Sequence, residues 1–179
     1  MAKLDNIKLF VFDLGGTLME YKGMHLSWTG YYKGAFEYVN TKLGLGLSEQ
    51  LIADSIPTLA ALKKAGFKIA AMTDVATGMP DLMHKNYVTP LLPYFDLYVS
   101  SLSCGYKKPN PKGLRDISEQ LGIEPENMVM IGDTNRDVNV AKNIGCRSIL
   151  TNRKDEPVQE LGQDFTIRNT LEILALIQL

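Results

Sequence analysis

The sequence predicts an α/β protein: one mainly parallel sheet of five to six strands with helices packed on both faces. Two observations carry that prediction. Leu9-Phe10-Val11-Phe12, Ile69-Ala70-Ala71-Met72 and Met128-Val129-Met130-Ile131 are continuous apolar runs, the pattern of strands buried on both sides. Around them lie segments with apolar residues at three- and four-residue steps, several opened by proline and closed by glycine, as crossover helices are. Each run also ends on polar groups, Asp13, Thr73-Asp74 and Gly132-Asp133. Open α/β sheets bind ligands at the carboxyl ends of their strands, so these side chains would meet in one crevice.

The first strand stops at Asp13, after which Gly15 and Gly16 free the backbone for a tight turn. Beyond Gly23, Trp28, Tyr31, Tyr32, Ala35, Phe36, Val39 and Leu43 recur at helical steps, with Ser27 placed to cap the start and Gly44 to end it. This predicts an amphipathic helix with an aromatic stripe, whose usual use is packing. Gly44-Leu45-Gly46-Leu47 reads as a hinge or turn. Pro57 opens a helix through Leu59, Leu62 and Ala65 that closes at Gly66, and residues 67–72 form the second strand. Residues 81–87 make a short helix limited by Pro90 and Pro93. Residues 94–100 read as the third strand, followed by a loop carrying Lys107-Lys108-Pro109. Pro109 stiffens the chain after Lys108 and so restricts where that ammonium points. Pro111 opens a helix through Leu114, Ile117 and Leu121, ended by Gly122.

The fourth strand delivers Asp133, and Thr134-Asn135-Arg136-Asp137 enters a helix whose apolar face is Val138, Ala141 and Ile144. Two carboxylates four residues apart across a strand-to-helix turn can converge on one cation. Asp137 would equally favour the positive end of its own helix. Residues 147–150 and 165–167 supply a fifth and sixth strand, and Leu171, Leu174 and Ile177 a closing helix. His25, beside the first motif, reads as a solvated loop residue and His84, on a polar stretch, as a surface residue; Asp74 reads as fixing the next loop.

Composition sets the bounds. The 179 residues are 45% hydrophobic and 22% charged, as in ordinary globular chains with a substantial core. Nineteen Lys and Arg against twenty Asp and Glu give a net charge of −1, so no global basic field recruits nucleic acid or an anionic membrane. An anionic ligand would have to be held locally. Cys104 and Cys146 have no metal-ligand spacing, no apolar run approaches the ~20 residues of a membrane span, and a cytoplasmic protein is expected. Oligomeric state is not legible.

The order of these motifs resembles the haloacid dehalogenase-like hydrolase superfamily. The matching residues are Asp13-Leu14-Gly15-Gly16-Thr17-Leu18, Thr73, Lys108-Pro109, and Gly132-Asp133 followed by Asp137. The resemblance implies a Rossmann-like three-layer α/β/α core formed by residues 1–18 and 56–179, with residues 19–55 inserted as a short helical cap. That insertion is too short for a full helical bundle, so one long helix plus a short one is expected. The resemblance also implies a Mg²⁺-dependent phosphatase acting on a small phosphorylated metabolite. Asp13 would be the nucleophile that forms an aspartyl-phosphate, Thr73 would bind the phosphoryl oxygens, and Lys108 would neutralise charge between them. Asp13, the Gly15 carbonyl and Asp133 would hold Mg²⁺, with Asp137 in a direct or supporting role. An all-oxygen ligand set without a His/Cys cluster favours Mg²⁺ over zinc.

One departure stands out. Most phosphatases that the chain resembles carry at position 15 an Asp that protonates the leaving alcohol, and general acid-base help of that kind is worth about 10²–10⁴ in rate. With Gly15 the protein would be slow, would act on leaving groups that need little protonation, or would borrow a group such as His25 or Tyr21. A non-catalytic phosphate- or Mg²⁺-binding protein is the competing class. A two-component receiver domain has its acidic pair early rather than late, and a dehalogenase needs no cation.

Overall fold

The computed structural model describes residues 4–22, 48–75, 81–153 and 157–177. Among these, six strands form one sheet in the order β5-β4-β1-β6-β7-β8, where β1 is Leu9–Phe12, β4 Lys68–Thr73, β5 Leu97–Ser100, β6 Met128–Gly132, β7 Arg147–Thr151 and β8 Phe165–Ile167. Every neighbouring pair is parallel, so β1 lies inside the sheet between β4 and β6. The register sets Phe12 opposite Ala71 on one side and Ile131 on the other. Asp13, Thr73 and Asp133 therefore leave the sheet at the same edge.

Strand alternation divides the core in two. Phe10, Phe12, Ile69, Val129 and Ile131 face one layer, where they meet Leu59 and Leu62 of α1 (Ser55–Lys64) and Ile173 of α6 (Glu172–Leu176). Leu9, Val11, Ala70, Met72 and Met130 face the other. There they meet Leu114 and Ile117 of α4 (Lys112–Leu121) and Val140 and Ala141 of α5 (Asn135–Ile144). The side chains of β1 and β6 have no water-facing side, which is why those strands read as unbroken apolar runs. The three-layer α/β/α arrangement expected from sequence is present.

Three local differences are informative. Residues 94–100 are not one strand: Leu92–Tyr94 is a short 3₁₀ turn, and pairing begins only at Leu97. His84, on α2 (Asp81–Tyr87), is buried rather than solvated, with its Nδ1 2.7 Å from the Tyr98 hydroxyl. Burial holds that imidazole below its usual pKa, against the pull of Asp81. Finally, the segment after the first motif carries an antiparallel ribbon, β2 (Met19–Lys22) with β3 (Ser48–Leu51), which four-residue stretches were too short to announce. The helix expected over residues 28–43, His25 and the hinge at residues 44–47 lie outside the described residues.

Both crossings into that ribbon are pinned to the core. Ser55 donates through its hydroxyl to the Leu18 carbonyl at 2.7 Å. The Arg153 guanidinium, just past β7, forks onto both oxygens of Asp54 at 3.0 and 3.1 Å and also donates to the Thr17 carbonyl at 2.7 Å. Thr170 donates its backbone N–H and its hydroxyl to the same carboxylate. A bidentate guanidinium–carboxylate pair of this kind fixes direction as well as distance, so the ribbon rises from a rigid base.

Candidate active site

The site begins with how β1 ends. Asp13 donates its backbone N–H to the Ile131 carbonyl at 2.8 Å, continuing the sheet one residue past β1. The chain then turns so tightly that the Leu14 carbonyl accepts from the N–H groups of Thr17, Leu18 and Met19. Gly16 makes that turn with φ +78°, and a Cβ there would lie 2.0 Å from Asp133 Oδ2. Both the backbone conformation and the space demand glycine. Gly132 plays a similar part at the end of β6, where a Cβ would stand 2.2 Å from the Asp137 carboxyl carbon. The two glycines let three carboxylates crowd together.

Asp13, Asp133 and Asp137 each offer an oxygen, and these oxygens lie within 4.8 Å of one another. Between two of them sits the Lys108 ammonium, donating to Asp13 Oδ1 at 2.7 Å and Asp137 Oδ1 at 2.6 Å, with a third bond to the Met72 carbonyl at 3.3 Å. Asp13, Asp137 and Lys108 are buried, whereas Asp133 is exposed at the mouth. Asp137 is the third residue of α5, and its other oxygen accepts from the Thr134 hydroxyl at 2.6 Å and backbone N–H at 3.0 Å. Thus the helix-start reading and the cluster reading of Asp137 both describe its position. The Thr134-x-x-Asp137 spacing was the signal in the sequence for that capping arrangement.

The charges do not balance. Three carboxylates face one ammonium, which leaves an excess of negative charge in a partly desolvated place. Burial pushes the Asp13 carboxyl up to about 7; Lys108 opposes this, and Asp137 and Asp133 add to it. At the mouth, Asp133 is also pushed up to about 6, by the partial desolvation of its carboxyl among crowded neighbours and by Asp137. Lys108 is held above its ordinary value, because Asp13 and Asp137 outweigh its own desolvation. A hard divalent cation would relieve this excess, and the donor set is all oxygen. The residues present fit such an ion.

Thr73 is buried at the last position of β4, its backbone aligned with Ser100 of β5, so it stands on the same sheet edge as Asp13. Gly15 lies in the turn after Asp13 and makes a bridge with Met19. Asp74 holds not its own loop, as the sequence suggested, but Lys108 and Arg136. Its Oδ1 accepts from the Lys108 N–H at 3.0 Å and its Oδ2 from the Arg136 guanidinium at 3.0 Å. The loop after Asp74 is instead tied by the Val75 N–H donating at 2.9 Å to the hydroxyl of Ser101, the first residue of α3 (Ser101–Cys104). Nothing in the sequence paired residue 74 with residue 108. Asp74→Ala is expected to cost about 1–3 kcal/mol of stability, the penalty of one unsatisfied bond at Lys108. Asp74→Asn, which keeps an acceptor for that N–H, should lose much less. Denaturant unfolding of the two variants checks this, and equal losses would assign the effect to Arg136 instead.

Comparison with known proteins fits this geometry. Residues 30–145 match the family model of the haloacid dehalogenase-like hydrolases. Over 124 residues the chain is 33% identical to a phosphoglycolate phosphatase of Vibrio vulnificus (strain YJ016), covering 67% of this chain and 53% of that protein. A phosphoglycolate phosphatase of Aquifex aeolicus (strain VF5) is also 33% identical, over 121 residues, covering 67% of this chain and 55% of that protein. The chain thus spans about half the length of the curated relatives it matches. The fold is that of a HAD phosphatase from Thermococcus onnurineus, with a TM-score of 0.71 at 23% identity over 95% of this chain and 97% of that one. The sheet with its carboxylate-bearing edge and the match across about two thirds of the sequence lead to one assignment: the chain belongs to the haloacid dehalogenase-like hydrolase family.

Proposed function

We propose that the chain is a Mg²⁺-dependent phosphatase that cleaves a small phosphorylated metabolite through a phosphorylated Asp13. The observation that carries this reading is the Lys108 ammonium bonded at once to Asp13 and Asp137, with the Asp133 carboxylate within reach. A carboxylate attacking a phosphate monoester brings two anions together, and positive charge must already be in place for attack to be possible. Lys108 supplies part of it at the attacking oxygen. Asp13, Asp133 and the Gly15 carbonyl would hold Mg²⁺, which when bound supplies the remaining positive charge. Both oxygens of Asp137 are engaged by Lys108 and Thr134, which suits it to a supporting role. Thr73 would donate its hydroxyl to the phosphoryl group. Residues 19–55 would form a cap over a core of residues 1–18 and 56–179, and the phosphoglycolate phosphatase relatives support a small substrate.

The test is release of phosphate from a chromogenic aryl phosphate. Turnover with Mg²⁺ that vanishes with a chelator supports the reading. A protein that binds Mg²⁺ and phosphate yet turns over nothing would be a binding protein, a rival that Gly15 keeps in view.

Metal binding should also depend on pH. Asp13 and Asp133 are raised above the ordinary carboxylate value, so without metal these two carboxyls hold more protons in the folded protein than in the unfolded chain between about pH 4 and pH 7. Their contribution to the stability of the metal-free protein therefore falls as pH rises through that window. Mg²⁺ competes with those same protons and is expected to raise Tm more at pH 8 than at pH 5. Thermal unfolding with and without Mg²⁺ at both values measures the difference; an equal rise at both would contradict it.

A further inference from the structure

We propose that this site is built for acyl phosphates, mixed anhydrides of phosphoric and carboxylic acids, and that alkyl phosphates are poor substrates; the proposal rests on the phosphatase reading above. It follows from where the protons at the site already are. An ammonium has three N–H bonds to give, and Lys108 directs its own at Asp13, Asp137 and the Met72 carbonyl. The Thr134 hydroxyl is committed to Asp137, and the Arg136 guanidinium lies on Asp74. The turn that follows Asp13, Leu14-Gly15-Gly16, carries no side chain with a proton, and Gly16 has no room for one. The Thr17 and Thr73 hydroxyls are no more acidic than a departing alcohol, and Asp13 and Asp133 would hold Mg²⁺ as carboxylates, so none of these described residues is left to protonate a departing oxygen.

The chemistry of the leaving group then decides the substrate. In the first step an Asp13 oxygen forms a bond to phosphorus, the bond from phosphorus to the leaving oxygen breaks, and the electron pair departs with that oxygen. An alcohol has an acidity close to that of water, pKa about 15.7, and its oxygen must be protonated as it leaves. A carboxylic acid has a pKa of about 4, and its oxygen leaves as a stable anion with no proton. In the second step water attacks phosphorus, the bond to Asp13 breaks, and Asp13 returns as a carboxylate; the proton lost by water goes to the released phosphate or to solvent. That second step is itself the hydrolysis of an acyl phosphate, whatever the substrate. With an acyl phosphate the first step merely exchanges one carboxylate for another, so both halves of the cycle run without an acid.

The experiment compares the wild type with Gly15→Asp in Mg²⁺. Gly15 is not among the glycines with positive φ, so an L side chain suits its backbone. Rates are measured on acetyl phosphate, on aryl phosphates whose phenols span a range of acidity, and on an alkyl phosphate, each relative to its uncatalysed hydrolysis. For the wild type, log kcat/KM should fall steeply as the leaving-group pKa rises. Gly15→Asp should flatten that slope and raise the ratio of alkyl to acyl turnover about 10²–10⁴-fold. Quenched wild type should carry a phosphoryl group on the peptide containing Asp13 after exposure to acetyl phosphate, and Asp13→Asn should not. A shallow slope in the wild type, needing no help from residue 15, would overturn the proposal, because another group would then be giving the proton. Aryl phosphate turnover by the wild type together with failure on acetyl phosphate would overturn it while leaving the phosphatase reading intact. Absence of turnover on every substrate by both proteins would overturn both.

Discussion

Asp13→Asn is expected to abolish turnover, with a loss on the order of 10³–10⁶ in kcat, the scale seen when a nucleophile is removed. The fold should survive it. Asn keeps the size of the side chain and still offers Lys108 an oxygen, while Lys108 retains Asp137 at 2.6 Å. It also removes a carboxylate that the metal-free site holds uncomfortably: burial pushes Asp13 up to about 7, so at pH 8 it is mostly ionised and bears the cost of that desolvation. Without Mg²⁺ the variant should therefore melt at or above the wild-type temperature at pH 8, and its advantage should shrink towards pH 5. Activity and thermal unfolding on the same preparation separate the two effects. A variant that keeps more than about a tenth of the wild-type rate, where a nucleophile is worth at least 10³, would exclude Asp13 from that role.

Lys108→Met should fail in the opposite way, losing stability as well as rate. Methionine fills the space of the lysine stem but leaves Asp13 and Asp137 facing each other in a buried place without the ammonium that joins them. Breaking a buried ion pair from one side costs about 3–5 kcal/mol. In a chain of this size that is roughly 6–20 °C in Tm at about 2–4 °C per kcal/mol. Turnover should fall by about 10²–10³, the usual loss when one stabilising donor is removed from charge at a reacting centre. Because the defect is excess negative charge, acid should repair part of it. The Tm gap between variant and wild type is expected to narrow from pH 8 to pH 5, as Asp13 takes a proton. A gap independent of pH would mean that the lysine matters for packing and not for charge.

These two expectations come from different depths of reading. Residues 9–12, 69–72 and 128–131 are apolar without interruption because each strand is covered on both faces, and that pattern survives in one dimension. A parallel sheet then places all carboxyl ends on one edge, so Asp13, Thr73 and Asp133 group together from the sequence alone. Lys108 was legible through its position before Pro109. The ribbon of β2 and β3 was not, since four residues such as Met19-Glu20-Tyr21-Lys22 carry too little periodicity to be told from loop. His84 was misplaced for a related reason. Lys85 and Asn86 follow it along the chain, but Tyr98, fourteen residues on, meets its ring nitrogen at 2.7 Å.

By itself the amino-acid order determined the α/β class, the strands that deliver the polar groups and the identity of those groups, because burial and backbone conformation leave a periodic trace in residue type. Only the tertiary structure decided how the charges are shared: that Lys108 bridges Asp13 and Asp137 and that Asp74 holds the Lys108 backbone. Such bonds join residues up to 95 positions apart. Their strength depends on desolvation and on ångström-scale direction, neither of which any local pattern of residues encodes.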